Sequence, residues 1–212
     1  MHDPKELVGC ASCQVNGRIG SSMKIWKFDE YEKYFIFYSF HICESLDADS
    51  LLERLREVST DLDVQMVDLD KVAGMKHLYF ALLNAVHAFQ RRTNISRSLA
   101  MEFLLYMSAQ KQISEAIKMM GVSQKTRNVV IVAVGKNQHS LTEFARKLPL
   151  FVRFESDDEL LDKWDSKKTF NLLTLFNISD KELHAMQRKT VSTEQTIQKL
   201  ILERMALLST MG

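Results

Sequence analysis

The sequence predicts an α/β fold: a single domain with a small mixed sheet, helices packed on it, and a helix-rich C-terminal half. Three observations lead there. Residues 34–42 are aromatic and β-branched, which favours a strand. Residues 129–134 form a continuous apolar, β-branched run bounded by Asn128 and Gly135, as a central strand covered on both faces requires. Leu78, Ala81, Leu82, Ala85 and Phe89 recur at helical spacing, as do Ile113, Ala116, Ile117 and Met120.

The remaining elements follow in order. Residues 1–30 carry Gly9, Gly17, Gly20, Ser21 and Ser22 without sustained periodicity, so they read as an irregular N-terminal extension before a domain at 31–212. Leu51, Leu52, Leu55 and Val58 mark an amphipathic helix, and Val64 and Met66 alternate around Gln65 as in a short strand. The long helix carrying Leu78 ends near Arg91 and Arg92. Asn94 is the expected N-cap of the next helix, whose apolar residues lie almost all round it, as on an element buried on several sides or buried by a partner. Gly121 stands where a left-handed C-terminal cap belongs. Beyond residue 135, Ser179 with Glu182 and Ser192 with Gln195 fit capping boxes, and Ile197, Leu200, Ile201, Met205 and Leu208 form the inward face of a last helix.

Composition narrows the function classes. With 46% hydrophobic and 26% charged residues among 212, and only 7 Gly and 2 Pro, the chain can bury a real core. No apolar run is long enough to span a bilayer, and no signal sequence opens the chain, so the reading is a cytoplasmic protein with no membrane association. The net charge of +1 conceals an asymmetry. Residues 44–70 hold nine acidic and two basic side chains, net −7, and residues 71–127 hold nine basic and two acidic, net +7. Either the two stretches neutralise each other in the fold, or the second forms a basic surface for a polyanion.

A search for reactive constellations finds none. Cys10 and Cys13 form one CxxC, but no second pair stands at zinc spacing, and three cysteines do not build a disulfide framework. His77 and His87, ten residues apart on one helix, are separated by roughly 80° in azimuth and about 15 Å along the axis, so they cannot share a metal. The loop at 135–140 follows a strand and precedes a helix but lacks the Gly-Lys-Ser/Thr of a phosphate loop. The expectation is a protein with no catalytic residues, no metal and no cofactor. The alternative is a metal-binding or redox protein built on Cys10, Cys13 and the histidines.

An ordered set of pieces then stands out: Gln65, Met66, Val67 and Asp68; Val72, Ala73 and Gly74 with His77 and Leu78; Asn94, Ile95, Ser96 and Arg97; Glu102, Leu105, Tyr106 and Ser108; Gln112, Ile113, Ala116 and Ile117, with Gly121 and Val122. Together with residues 202–208 they resemble the small kinase-binding subunit of the KEOPS (EKC) complex, the family that includes the PRPK-binding protein of animals. The likeness covers roughly residues 32–208. It implies a non-enzymatic regulatory subunit of the machinery that installs threonylcarbamoyl on adenosine 37 of tRNA. Its expected partners are the small kinase-like ATPase subunit, held by the N-lobe, and tRNA. This chain has Ala109 and Lys111 where the family often has Gly and Arg, and a Lys lacks the bidentate phosphate fork of an Arg.

The resemblance and the residue pattern jointly set the expected sites. A helix pair rich in Ile, Leu, Met and Phe suits a protein interface, which assigns kinase docking to Ile95, Leu99, Met107, Ile113 and Met120. The basic stretch assigns tRNA to Arg91, Arg92, Arg97 and Lys111, joined by Arg204 of the last helix. The basic side chains near helix ends would meet phosphates together with free backbone N–H groups.

Overall fold

The computed structural model describes residues 13–19, 23–42, 47–151, 154–156, 158–186 and 191–210. Six strands are described: β1 (Cys13–Ile19), β2 (Met23–Phe28), β3 (Lys33–Ile42), β4 (Asp63–Asp68), β5 (Asn128–Gly135) and β6 (Phe154–Ser156). The helices are α1 (Ala48–Glu57), α2 (Met75–Arg91), α3 (Leu99–Ser108), α4 (Ile113–Met120), α5 (Gln138–Lys147), α6 (Ser166–Leu175), α7 (Asp180–Met186) and α8 (Thr193–Thr210). The chain divides into two compact units, residues 1–68 with 122–160, and residues 69–121 with 161–212.

The first unit holds the sheet, in the order β1-β2-β3-β5-β4, with β6 pairing the end of β3 beside the path. The α/β class is as expected, but the expected mixed sheet is antiparallel in every described pairing. Sequence patterning marks the apolar positions along a strand, not the direction in which neighbouring strands run. β5 sits between β3 and β4, and Val129 to Val134 are at most 2% exposed, which is why that run contains no polar residue. One face of the sheet (Ile25, Ile36, Tyr38, Phe40, Val64, Met66) packs with Leu51 and Leu55 of α1 and Leu141 and Phe144 of α5. On the other face Phe35 stacks on Phe28 at 4.4 Å and on Trp26 at 6.3 Å.

The expectation of an irregular N-terminal segment is corrected at residues 13–19 and 23–28, which are strands; residues 1–12 and 20–22 lie outside the described residues. β1 and β2 form an antiparallel pair, and β2 pairs onward with β3, placing Ile25 and Phe28 at 1% exposure. Gly17 was the misleading residue. The β1–β2 register shifts between Val15 and Arg18, and a glycine inside a strand marks such an irregularity rather than the absence of a strand.

The second unit is built from helices. α2 buries Leu78, Ala81, Leu82 and Ala85, and ends at Arg92, whose φ of 59° makes a left-handed cap. α3 is buried along nearly its whole circumference, from Leu99 to Ser108, as an all-apolar helix must be. Two boundary expectations differ from the structure. Ser98, not Asn94, caps α3 by accepting from Met101 N at 3.1 Å, while Asn94 Nδ2 donates to Ser96 O. Gly121 is extended, with φ −62° and ψ 152°, because its N–H closes α4 on Ile117 O without entering the left-handed region. The capping box at α7 is present, with Ser179 N donating to Glu182 at 2.7 Å and Glu182 N donating to Ser179 Oγ at 3.3 Å. At α8, Gln195 N donates to Ser192 Oγ, and Ile197, Leu200, Ile201, Met205 and Leu208 are all buried, as the spacing predicts.

The start of α2 is locked by polar groups. Gly74, at φ 84° and ψ −177°, turns the chain into the helix. The Ala73 N–H donates to His77 Nδ1 at 3.1 Å, and the Ala73 carbonyl accepts from Gln198 Nε2 at 2.6 Å. With Nδ1 accepting, His77 carries its proton on Nε2 and donates to Met107 O at 2.9 Å. Both ring nitrogens of this fully buried histidine are thus engaged, and burial holds its pKa down at about 4. Lys168 lies 6% exposed beside the Trp164 ring, its pKa lowered by burial against the opposing pull of Asp70, Asp162 and Asp165.

Candidate functional site

The segment from Arg91 to Met120 carries both expected sites, and burial sorts their residues. Ile95 is 49% exposed and Ile113 40%. Leu99 at 5%, and Met107 and Met120 at 0%, lie inside the helical unit. Met107 and Met120 offer a partner no accessible surface in this conformation, and Leu99 very little. Ile117, one turn after Ile113 on α4, is 47% exposed and completes an apolar ridge. Its i+4 spacing from Ile113 was the available signal for it.

The basic residues separate similarly. Arg91, Arg92 and Arg97 are exposed, and among the described residues no carboxylate pairs with any of them. Lys111 is also exposed. Arg204 is engaged internally, reaching Glu182 at 2.8 Å and Asn177 O at 3.1 Å and so tying α8 to α7. Of the backbone N–H groups near these residues, those of the 95–96 loop are taken, while Arg97 and Lys111 stand just before the first turns of α3 and α4. α2 ends at Arg91 in carbonyls, and the Ile95 and Ser96 N–H groups already donate to a carboxylate.

That carboxylate is Glu102. It is 1% exposed, and it accepts from Ile95 N at 3.2 and 3.0 Å and from Ser96 N at 2.7 Å. Its sequence signal resembles a capping box stretched by one position: Ser98 caps the helix and the acid four residues on, instead of three, reaches back to the loop. The neighbouring Tyr106 has its pKa raised, first by burial and then by the Glu102 charge.

Cys10, Cys43 and His2 lie outside the described residues, and so does the side chain of Cys13. His41 is exposed with its ring 2.9 Å from Asn128 Oδ1, and His77 is fully engaged as above. Among the described residues no group of three or more His, Cys, Asp or Glu side chains could hold a metal ion. No helix among them is long and apolar enough to cross a membrane.

This α/β protein thus leaves three isoleucines exposed on the stretch that carries Arg91, Arg92 and Arg97, which have no carboxylate partner among the described residues. The chain belongs to the kinase binding protein CGI-121 family, whose profile matches residues 46–209. It is 32% identical over 107 residues to the regulatory protein Cgi121 of Methanocaldococcus jannaschii, covering 50% of this chain and 66% of that protein. It is 23% identical over 88 residues to the EKC/KEOPS complex subunit CGI121 of Coccidioides immitis, covering 42% of each. The aligned stretches thus span just under two thirds of the archaeal relative and less than half of the fungal one.

Proposed function

We propose that this chain is a non-catalytic, cytoplasmic subunit of a KEOPS/EKC complex, which binds the small kinase-like ATPase and tRNA in support of threonylcarbamoyl modification of adenosine 37. The single observation that carries the kinase half is the apolar ridge of Ile113 and Ile117, with Ile95 on the loop before α3, exposed in a family named for kinase binding. Large apolar side chains held in water are most readily accounted for by a surface that covers them.

The test is co-purification of the kinase-like ATPase with wild type and with an Ile113→Glu/Ile117→Glu variant. Both positions are exposed, so the fold survives, as far-UV circular dichroism would verify. Two carboxylates in a desolvated contact should weaken binding by at least roughly a hundredfold. Undiminished binding by the folded variant would place the kinase elsewhere on the chain.

For tRNA the supporting observation is the set of three guanidiniums, Arg91, Arg92 and Arg97, that are exposed and have no carboxylate partner among the described residues. Phosphate contacts release counterions, so affinity should fall steeply with salt. Replacing all three arginines by alanine should flatten the slope of log affinity against log salt by about two to three, at any tRNA sequence. Equal slopes for the variant and wild type would show that these arginines meet no phosphate.

A further inference from the structure

We propose that Glu102 is the positioning residue of the kinase-docking face, holding the 94–98 loop so that Ile95 stands out to solvent; this rests on the docking reading above. A carboxylate at 1% exposure is costly to bury unless its lone pairs are satisfied, and here all three described contacts come from the backbone of one short loop. The same loop is closed on itself from within. Asn94 Nδ2 donates to Ser96 O at 2.9 Å, Ser96 Oγ donates to Ser98 O at 2.7 Å, and Ser98 Oγ accepts from Met101 N.

The distribution of polar and apolar groups is inverted relative to an ordinary loop. The charged Glu102 occupies the interior, and the apolar Ile95, whose N–H it fixes, is half exposed. For folding alone the opposite arrangement would be more stable, because burying an isoleucine is favourable and burying a carboxylate is not. A rigid loop that displays one apolar side chain lowers the ordering cost of association, which is the gain that offsets the inversion.

The exposed Ile95 side chain defines the occupant. Arg91, Arg92 and Arg97 flank it in sequence, exposed and without carboxylate partners among the described residues. The matching surface is an apolar recess on the kinase-like protein, since an isoleucine needs an apolar recess, and the arginines beside it are left to the tRNA phosphates. Nucleic acid would satisfy the arginines but offers Ile95 no such recess.

Glu102→Gln keeps the size and, with its carbonyl at the Oε2 place, an acceptor for both N–H groups, but it removes the charge and sets an amide NH2 at the Oε1 place, against the Ile95 N–H. In the full chain, amide exchange at Ile95 and Ser96 should speed up by roughly tenfold while α4 amides stay unchanged, and kinase affinity should drop about tenfold. The loss should be non-additive with Ile95→Ala: in that background Glu102→Gln should weaken kinase binding less than about twofold. A purely structural role would give additive losses. If Glu102→Gln does not fold, Glu102→Asp, too short to reach both N–H groups, carries the same three measurements. Unchanged exchange, additive losses, or weakened tRNA binding with kinase binding intact would overturn the proposal. Kinase binding by wild type that ignores the Glu102 variants removes this proposal alone, whereas wild type that binds no kinase removes the docking reading with it.

Discussion

His77→Phe is expected to destabilise the protein by on the order of 4 kcal/mol, the largest single effect we predict. Phenylalanine matches the imidazole in shape and could keep the edge contact with Phe176, 5.7 Å away between centroids. It can neither accept from Ala73 N nor donate to Met107 O, so it orphans two buried backbone groups at roughly 1–3 kcal/mol each. The wild-type histidine also ties stability to pH. Burial is the main cause that lowers its pKa from 6.5 to about 4, the Met107 bond opposing this and the Lys168 charge adding to it. The unfolded chain therefore takes up a proton near pH 6.5 and the folded chain only near 4, so the unfolded state binds more protons between these values.

It follows that this contribution is fully present above about pH 6.5 and lost as pH falls toward 4, amounting to roughly 3 kcal/mol. Urea denaturation of wild type and His77→Phe from pH 7.5 to 4.5 measures it. Other titrating groups cancel in the difference, which should shrink as the medium is acidified. A difference that stays constant with pH would mean that His77 is not held neutral by the fold.

Gly74→Ala is expected to cost about 3 kcal/mol, and the backbone accounts for most of it. At φ 84° and ψ −177° the residue occupies a region essentially reserved for glycine, where a side chain is strained by roughly 1–3 kcal/mol. An added Cβ would lie 3.0 Å from Gln198 Nε2 and 3.4 Å from Asp162 Oδ1. The amide end of Gln198 can move away, but moving it loosens its 2.6 Å bond to the Ala73 carbonyl, worth about 1 kcal/mol. Gln198→Ala isolates that smaller contribution. If Gly74→Ala and Gln198→Ala proved equally mild, the positive φ would not be a requirement of the fold.

Much of the architecture was legible because it is local and periodic. The last-helix stripe from Ile197 to Leu208 and the run from Val129 to Val134 repeat at the periods of the helix and of the doubly covered strand, and both were located from spacing alone. The capping box of Ser179 and Glu182 is likewise a contact between near neighbours. Where the signal is interrupted the pattern misleads: Gly17 conceals β1, and Asn94, a good cap by type, yields to Ser98, which stands next to the first helical turn.

The candidate sites were legible only as a segment. Leu99, Met107, Ile113, Ile117 and Met120 are all apolar residues at helical spacing, and nothing in one sequence separates those that become core from those left in water. The difference lies in which neighbours cover them. Glu102 was visible only as one of two acids in a basic stretch.

The sequence by itself determined that this is an α/β protein, where its long helices and central strand lie, and to which family it belongs, because periodicity, capping and motif order are properties of neighbours along the chain. Only the tertiary structure decided that the strands run antiparallel, that Met107 and Met120 are buried while Ile113 and Ile117 are exposed, and that Glu102 faces inward to hold the Ile95 loop. Those outcomes depend on contacts between elements, such as the 2.9 Å bond from His77 to Met107 O across thirty residues of chain. Burial is set by that packing in space, which one-dimensional spacing does not encode.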